Sequence, residues 1–319
     1  MEGLQGGARV TARRTLTFVV LTACAALGLA LVSAPALAKK PVKKPAKKPA
    51  ASKITVHTPV TPGSGYLALG DSVTFGYEEP QVVPAPNYAD ASSLIGYPEL
   101  LGSELHLTVA NAACSGETSS SLINASAQSN GCENAPGGGT GYRTMFPLHV
   151  KYSGSQLDYA VSYLKTHKNV RLVSLMIGAN DFFLCQETTA DKCASPSEEL
   201  AVGASVSKNV KTILSAIRNK AHYGGQIAIV NYYSLDYSST ADNTESALLN
   251  STQDTAAKPF HVIIADGFGE LEAASAHSGG NTCTAGLLTQ LSTGGCGIHP
   301  SYAGQSLLAQ ALEKAIKIS

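Results

Sequence analysis

Charge is scarce in this chain: 14% of its 319 residues are Asp, Glu, Lys or Arg, and the formal net charge is zero. The zero conceals an asymmetry. Positions 1–53 carry ten Lys and Arg against one acidic residue, Glu2, while the rest carries thirteen against twenty-two, a net of about −9. An acidic folded part argues against nucleic acid as its natural partner. Metal-site spacings are missing as well. There is no C-x-x-C and no H-E-x-x-H, so no zinc or other metal is expected. No arginine pair or peptide-groove pattern points to phosphodiester or protease chemistry.

Long apolar runs are nearly absent too. The one at the N-terminus, LTFVVLTACAALGLALV, is 17 residues long, follows Arg9, Arg13 and Arg14, and ends in APALA. Its length is short for a membrane span and the Ala36-x-Ala38 pattern suits cleavage, so residues 1–38 read as an export signal. Arg13-Arg14 hints at a twin-arginine route. The segment Leu21–Cys24 resembles a lipoprotein processing box, but more apolar residues follow Cys24 where a polar tether would be needed. Residues 39–53, KKPVKKPAKKPAASK, stay extended through Lys repulsion and repeated Pro. They read as a linker, with electrostatic contact to an anionic cell envelope as the alternative.

What the chain does have is cysteine in an exported context. Six follow the signal: Cys114, Cys132, Cys185, Cys193, Cys283 and Cys296. An even count there implies disulfides, and six cysteines allow fifteen pairings. They fall as three sequential close pairs, so 114–132, 185–193 and 283–296 are expected.

Residues 54–319 read as one domain. Strands are predicted at Tyr66–Gly70, Leu105–Ala110, Val170–Ile177, Gln226–Asn231 and His261–Ala265. Helical patterns fill Ser155–His167, Ser197–Ala221, about 242–259 and Tyr302–Ile318. Short apolar strands alternating with helices indicate an α/β fold with a mostly parallel sheet covered on both faces. Ligands then collect at the carboxyl ends of the strands. Three polar segments follow strands: GDSVTFGY (70–77), NAACSGET (111–118) and GANDFF (178–183). Residues 131–149 and 186–196 read as loops tied by cysteines.

The segment Gly70–Tyr77 resembles the first block of the GDSL-type, or SGNH, serine hydrolases. The other blocks follow in order: Gly116 within Asn111–Glu117, Asn180 within Gly178–Asp181, and His299 within CGIHPSYAG. They span Gly70 to Gly304, nearly the whole domain, and no G-x-S-x-G elbow of the larger α/β hydrolases is present. The resemblance implies a three-layer α/β/α sandwich and hydrolysis of carboxylic esters, with no cofactor. It implies Ser72 as nucleophile, His299 as base, and the Ser72 N–H, the Gly116 N–H and the Asn180 amide as oxyanion hole. His299 precedes Pro300 and is expected to open the last helix.

One departure matters. Members of the family usually carry an Asp three residues before the histidine, and here that position is Cys296. A cystine cannot act as a carboxylate. The main-chain carbonyl of Cys296 or Gly297 is therefore expected to orient the ring, with Asp266 or Asp181 as alternatives reaching it through space. Asp71 is expected to hold the turn. Phe75, Tyr77, Tyr142, Phe146, Phe182 and Phe183 are candidates to line an acyl groove, which favours lipid-like esters. The expected protein is a secreted, monomeric lipase or esterase. A carbohydrate or acetyl esterase of the same mechanism, or a non-catalytic envelope-binding protein, are the alternatives.

Overall fold

The computed structural model of the chain describes residues 58–319. The export signal, Cys24 and the Lys/Pro segment lie outside the described residues. Among these residues no helix is long and apolar enough to cross a membrane.

Strand β1 (Gly65–Gly70) runs straight into the one-turn helix α1 (Ser72–Phe75). Helix α2 (Tyr97–Glu104), strand β2 (Thr108–Asn111) and helix α3 (Ser119–Ile123) follow. A small hairpin, β3 (Asn134–Ala135) with β4 (Gly139–Thr140), and the short α4 (Tyr142–Met145) precede α5 (Gln156–Thr166). Then come β5 (Val170–Met176), α6 (Ala179–Thr188), α7 (Pro196–Ser215), β6 (Gln226–Val230), α8 (Thr240–Ala257), β7 (Ile263–Ala265) and α9 (Gly267–Ser275). A hairpin of β8 (Leu288–Gln290) and β9 (Cys296–Pro300) leads into α10 (Tyr302–Ala315).

The central sheet has five parallel strands in the order β2-β1-β5-β6-β7. Helices α2, α9 and α10 pack together on one face; α3, α5, α7 and α8 pack on the other. Every residue of β1 and β6 is buried, and in β5 only Arg171 is partly open. Strands covered on both faces favour apolar side chains at most positions, which is why they appear as predominantly apolar runs. The order reverses between β1 and β5, and the loops leaving these two strands diverge to opposite faces. A crevice opens there, outside the carboxyl ends.

Several elements differ from expectation. The stretch predicted as strand from Leu105 starts at Thr108, because Leu105 closes α2. Helix α2 itself was hidden by Pro98 and Gly102. The proline stands in the first turn, where its missing N–H costs nothing, and the glycine lets the helix lie against the Val109 side chain. GANDFF, expected as a strand-end loop, begins helix α6, which extends to Thr188 and takes the start of the expected 186–196 loop. His299 does not open the last helix. It sits in β9, and α10 starts after the Ser301 cap.

Three disulfides hold the loops: Cys114–Cys132, Cys185–Cys193 and Cys283–Cys296. The first ties the segment after β2 to the start of the β3–β4 region. The second joins α6 to the approach to α7. The third fixes the beginning of β9.

Helix α8 is anchored to the segment that leaves β6 by Asn250 and by Ser246, whose hydroxyl donates to the Tyr233 carbonyl at 3.1 Å. The buried Asn250 amide accepts from the Tyr232 N–H and donates to the Tyr232 carbonyl, both at 2.8 Å. Asn250→Leu leaves two buried main-chain groups without partners, so a loss of about 2–4 kcal/mol is expected. The urea midpoint of the variant against the parent checks it.

Candidate active site

Asp71 follows the last residue of β1 and caps α1, its Oδ1 accepting from the Val73 amide at 3.0 Å. This bond turns the chain from strand to helix. The other carboxyl oxygen accepts from the Tyr232 hydroxyl. Burial pushes the Asp71 carboxyl up to about 6 against the pull of those two bonds. Ser72 is thereby the first helical residue, with an N–H that has no partner inside the helix.

His299 arrives from β9, with Nε2 at 2.9 Å from Ser72 Oγ. Its Nδ1 lies 2.8 Å from Oε1 of Glu79. The same oxygen accepts from the Ile298 amide at 2.7 Å and the His299 amide at 3.2 Å, and Oε2 accepts from the Thr289 hydroxyl. Burial alone would raise the Glu79 carboxyl. The bond and charge of His299, helped by Thr289, outweigh it and hold the group down to about 2. Glu79 is thus an anion at neutral pH and accepts the Nδ1 proton. That leaves the Nε2 lone pair facing the serine hydroxyl.

The orienting group is therefore a carboxylate, and the expected main-chain carbonyls do not take that place. The carbonyls of Cys296 and Gly297 make no hydrogen bond to the His299 ring, whose Nδ1 is taken by Glu79. Asp266 caps α9, and Asp181 is engaged by Ser119. Glu79 comes from the loop seven residues beyond Ser72, remote from the usual position beside the histidine. The signal that could have found it is the Glu78-Glu79 pair directly after the first block, in a chain whose Cys296 leaves the acid unassigned. Gly297 makes room for it. A Cβ there would stand 2.0 Å from Glu79 Oε1.

Asn180 lies in the first turn of α6, and its Oδ1 accepts from Asn130 Nδ2 at 3.2 Å. That bond fixes the amide orientation and frees its NH₂ group for another acceptor. Gly116 has φ +80°, and a Cβ on it would meet the Asn130 carbonyl at 2.5 Å. Only glycine fits this close approach. Asp181 accepts from the Ser119 amide at 2.7 Å and its hydroxyl at 2.6 Å, tying α6 to the loop that carries Gly116. Behind that loop Gln156 braces the end of β1, accepting from Gly70 N at 2.7 Å and donating to Gly70 O at 3.0 Å. It also donates to Glu117, whose carboxyl is driven well above the usual range by complete burial.

Ser72, Asn180 and His299 line one cavity, together with Asp71 and Tyr232. Gly116 stands on the adjoining loop and reaches this group through Asn130. Of the six aromatics considered for an acyl groove, Phe182 and Phe183 line the cavity. Phe75 and Tyr142 form a separate apolar cluster with Phe146 packed on it, and Tyr77 meets the His299 ring edge-on at 5.0 Å. Two places bring carboxylates close to cysteine sulfurs, Glu117 with Cys114 and Cys132, and Glu198 with Cys185 and Cys193. These sulfurs are in disulfides and so offer no thiolate to a metal.

The arrangement can pass a proton from a serine hydroxyl to an imidazole whose positive form is stabilised by a carboxylate. The model of the GDSL-like lipase/acylhydrolase family matches residues 68–307. No curated protein sequence matches the chain. Among solved structures it is similar to a phospholipase A1 from Streptomyces albidoflavus NA297, with 22% identity, a TM-score of 0.50, and 79% of this chain and 99% of that one covered. It is also similar to a putative GDSL-like lipase from Parabacteroides merdae ATCC 43184 (13% identity, TM-score 0.49, 82% and 97% covered). A third is an acetyl xylan esterase from Geobacillus stearothermophilus (15%, 0.47, 80% and 95%). At these identities the likeness to the phospholipase speaks for the fold alone.

Glu79→Gln removes the charge and offers Nδ1 a donor, so a fall of about 10³-fold in kcat/KM for a simple ester is expected. Gly297→Ala is expected to act in the same direction and to lower the melting temperature as well, because the added methyl displaces the Glu79 carboxylate from its bonds to His299, Ile298 and Thr289. A crystal structure of the variant with the Glu79–His299 contact retained would contradict this. The depressed Glu79 value also carries a stability signature. Its contribution is fully present above the ordinary value of 4.5 and is lost as pH falls toward about 2. The stability gap between parent and Glu79→Gln should therefore shrink from pH 5 to pH 2 in chemical denaturation.

Proposed function

The chain belongs to the GDSL-like lipase/acylhydrolase family, and from that premise we propose that it is an exported serine esterase working through an acyl-enzyme on Ser72. The observation that carries this is the continuous relay from Ser72 Oγ to His299 Nε2 and from His299 Nδ1 to Glu79. A serine hydroxyl is a weak nucleophile until a base takes its proton. His299 takes that proton as Ser72 attacks the ester carbonyl, and Glu79 stabilises the imidazolium that results.

The attack places negative charge on the former carbonyl oxygen. The Ser72 N–H, the Gly116 N–H and the Asn180 amide are the donors assigned to it, each contributing about 3 kcal/mol to barrier lowering. His299 then gives its proton to the leaving alcohol. Water, activated by the same histidine, attacks the acyl-serine and releases the acid. A non-catalytic binding role would leave the alignment of Ser72 and Glu79 with His299, more than two hundred residues away, without a purpose.

Export rests on the N-terminal signal pattern and on three disulfides, which persist in oxidising compartments. The Lys/Pro segment then serves as a linker between the cleavage site and the domain.

Ser72→Ala is expected to lower hydrolysis of p-nitrophenyl butyrate by about 10⁴-fold or more while the circular dichroism spectrum is retained. Unchanged hydrolysis would reject the proposal. Intact-mass analysis should find a fluorophosphonate adduct on the parent and none on Ser72→Ala. Protein recovered from the culture medium of an expressing bacterium is expected to begin at Lys39, which N-terminal sequencing reads directly.

A further inference from the structure

The cavity beside Ser72 is a slot between two helices, and its shape carries information about the acyl group. Phe182 and Phe183 of α6 form one wall, and Leu249 of α8 forms the other. Val73 lies at the inner end, and Leu235 and Ile298, both partly exposed, lie at the rim. Leu249 is deep, packed over the Gly178 backbone next to the Asn180 turn. From there the inward face of α8 continues through Ser246 and Glu245 to Asp242, at helical spacing of three to four residues. The apolar surface therefore ends in carboxylates.

A surface hydrogen bond also bridges the two helices at that end. Gln186, one turn beyond Phe182 and Phe183 on α6, donates from Nε2 to Glu245 Oε1 of α8 at 3.2 Å. The two helices are strapped together where their apolar faces stop. The cavity, open to solvent at its rim, has a volume of about 130 Å³. An apolar cavity of about 150 Å³ is known to hold a benzene molecule, so this one accommodates about four to six carbons. A longer chain must push methylenes against Glu245 and Asp242 and strip water from their charges, which is unfavourable.

Resting on the esterase reading, we propose that this slot is the acyl site and that the Gln186–Glu245 strap limits the enzyme to esters of short, apolar acids of about four to six carbons. Long-chain lipids are then poor substrates. Each methylene buried in the slot improves transition-state binding about fourfold until the strap is reached.

The test is kcat/KM of the full mature protein on p-nitrophenyl esters from acetate to dodecanoate, each below its solubility limit. A rise of about 16-fold from acetate to butanoate, and of up to about 250-fold to hexanoate, is expected, then a fall of at least tenfold by dodecanoate. Glu245→Leu, at a surface position, removes the strap and extends the apolar path, and should move the optimum to octanoate or beyond. Ser246→Phe narrows the slot and should lower the hexanoate-to-acetate ratio by at least fivefold. A parent profile that is flat, or still rising at dodecanoate, overturns the proposal, as does an optimum that neither variant moves. If such a profile is abolished by Ser72→Ala, the esterase reading stands and only the chain limit falls. Failure of the parent to cleave any of these esters would sink both.

Discussion

The carboxylate of Glu79 against Nδ1 of His299 is the contact on which the rest of the site depends. A serine and a histidine 2.9 Å apart are useful only if the histidine presents a lone pair to the hydroxyl. The tautomer that does so is selected by whatever accepts the other ring proton. Glu79 is well suited to that work because it is itself heavily restrained. Two main-chain amides, a threonine hydroxyl and the imidazole converge on its two oxygens. Together they keep a half-buried carboxyl ionised where burial would otherwise neutralise it. A partly satisfied carboxylate in such a place would be a liability; a fully bonded one is a rigid reference point.

The fold supplies the remaining parts from both sides of one crevice. Ser72 leaves the end of β1 and Asn180 leaves the end of β5, the two strands between which the sheet order reverses. Neighbouring elements are then fixed by single polar side chains: Asp181 to Ser119, Asn130 to Asn180, Asn250 to Tyr232. The first two join segments 62 and 50 residues apart, and the third ties a strand end to the helix that follows it. The oxyanion donors and the acyl slot are thus held by the same ties. Helix α6 carries both Asn180 and the phenylalanine wall, so a shift of this helix alters both together.

The sheet was legible in the sequence because its strands are buried on both faces. YLALG, VRLVSLM and QIAIV have no competing pattern, and their ends agree with the structure to within a residue or two. Ser72 and Asn180 stood in polar segments just beyond such runs, and the family resemblance singled them out together with His299. Helices α2 and α6 were not, since one begins in a proline and glycine context and the other begins with a turn-like GAND segment. The β8–β9 hairpin was hidden for a different reason. Its strands are short and half open, and they are defined by the Cys283–Cys296 bond and by Glu79 more than by any apolar alternation. Glu79 itself has no local signature, because its role arises only when two loops more than two hundred residues apart meet.

Moving the acid from beside the histidine to beside the serine changes what stabilises the relay. Where an Asp three residues before the histidine orients the ring, both groups travel on one loop, and their contact survives any movement of that loop. Here Glu79 travels with the nucleophile segment and His299 with the β9 hairpin. The ion pair therefore spans the two parts it must align, and bonds from Ile298 N and Thr289 Oγ1 fasten the hairpin to the same carboxylate. Nucleophile, base and acid become one mechanical unit. The position vacated by the acid is not wasted in this arrangement. Cys296 there is bonded to Cys283, so the strand that carries the histidine is anchored covalently at its start and electrostatically at its end. Between the two anchors, Gly297 has no Cβ to meet the carboxylate and so lets it come close enough to serve both.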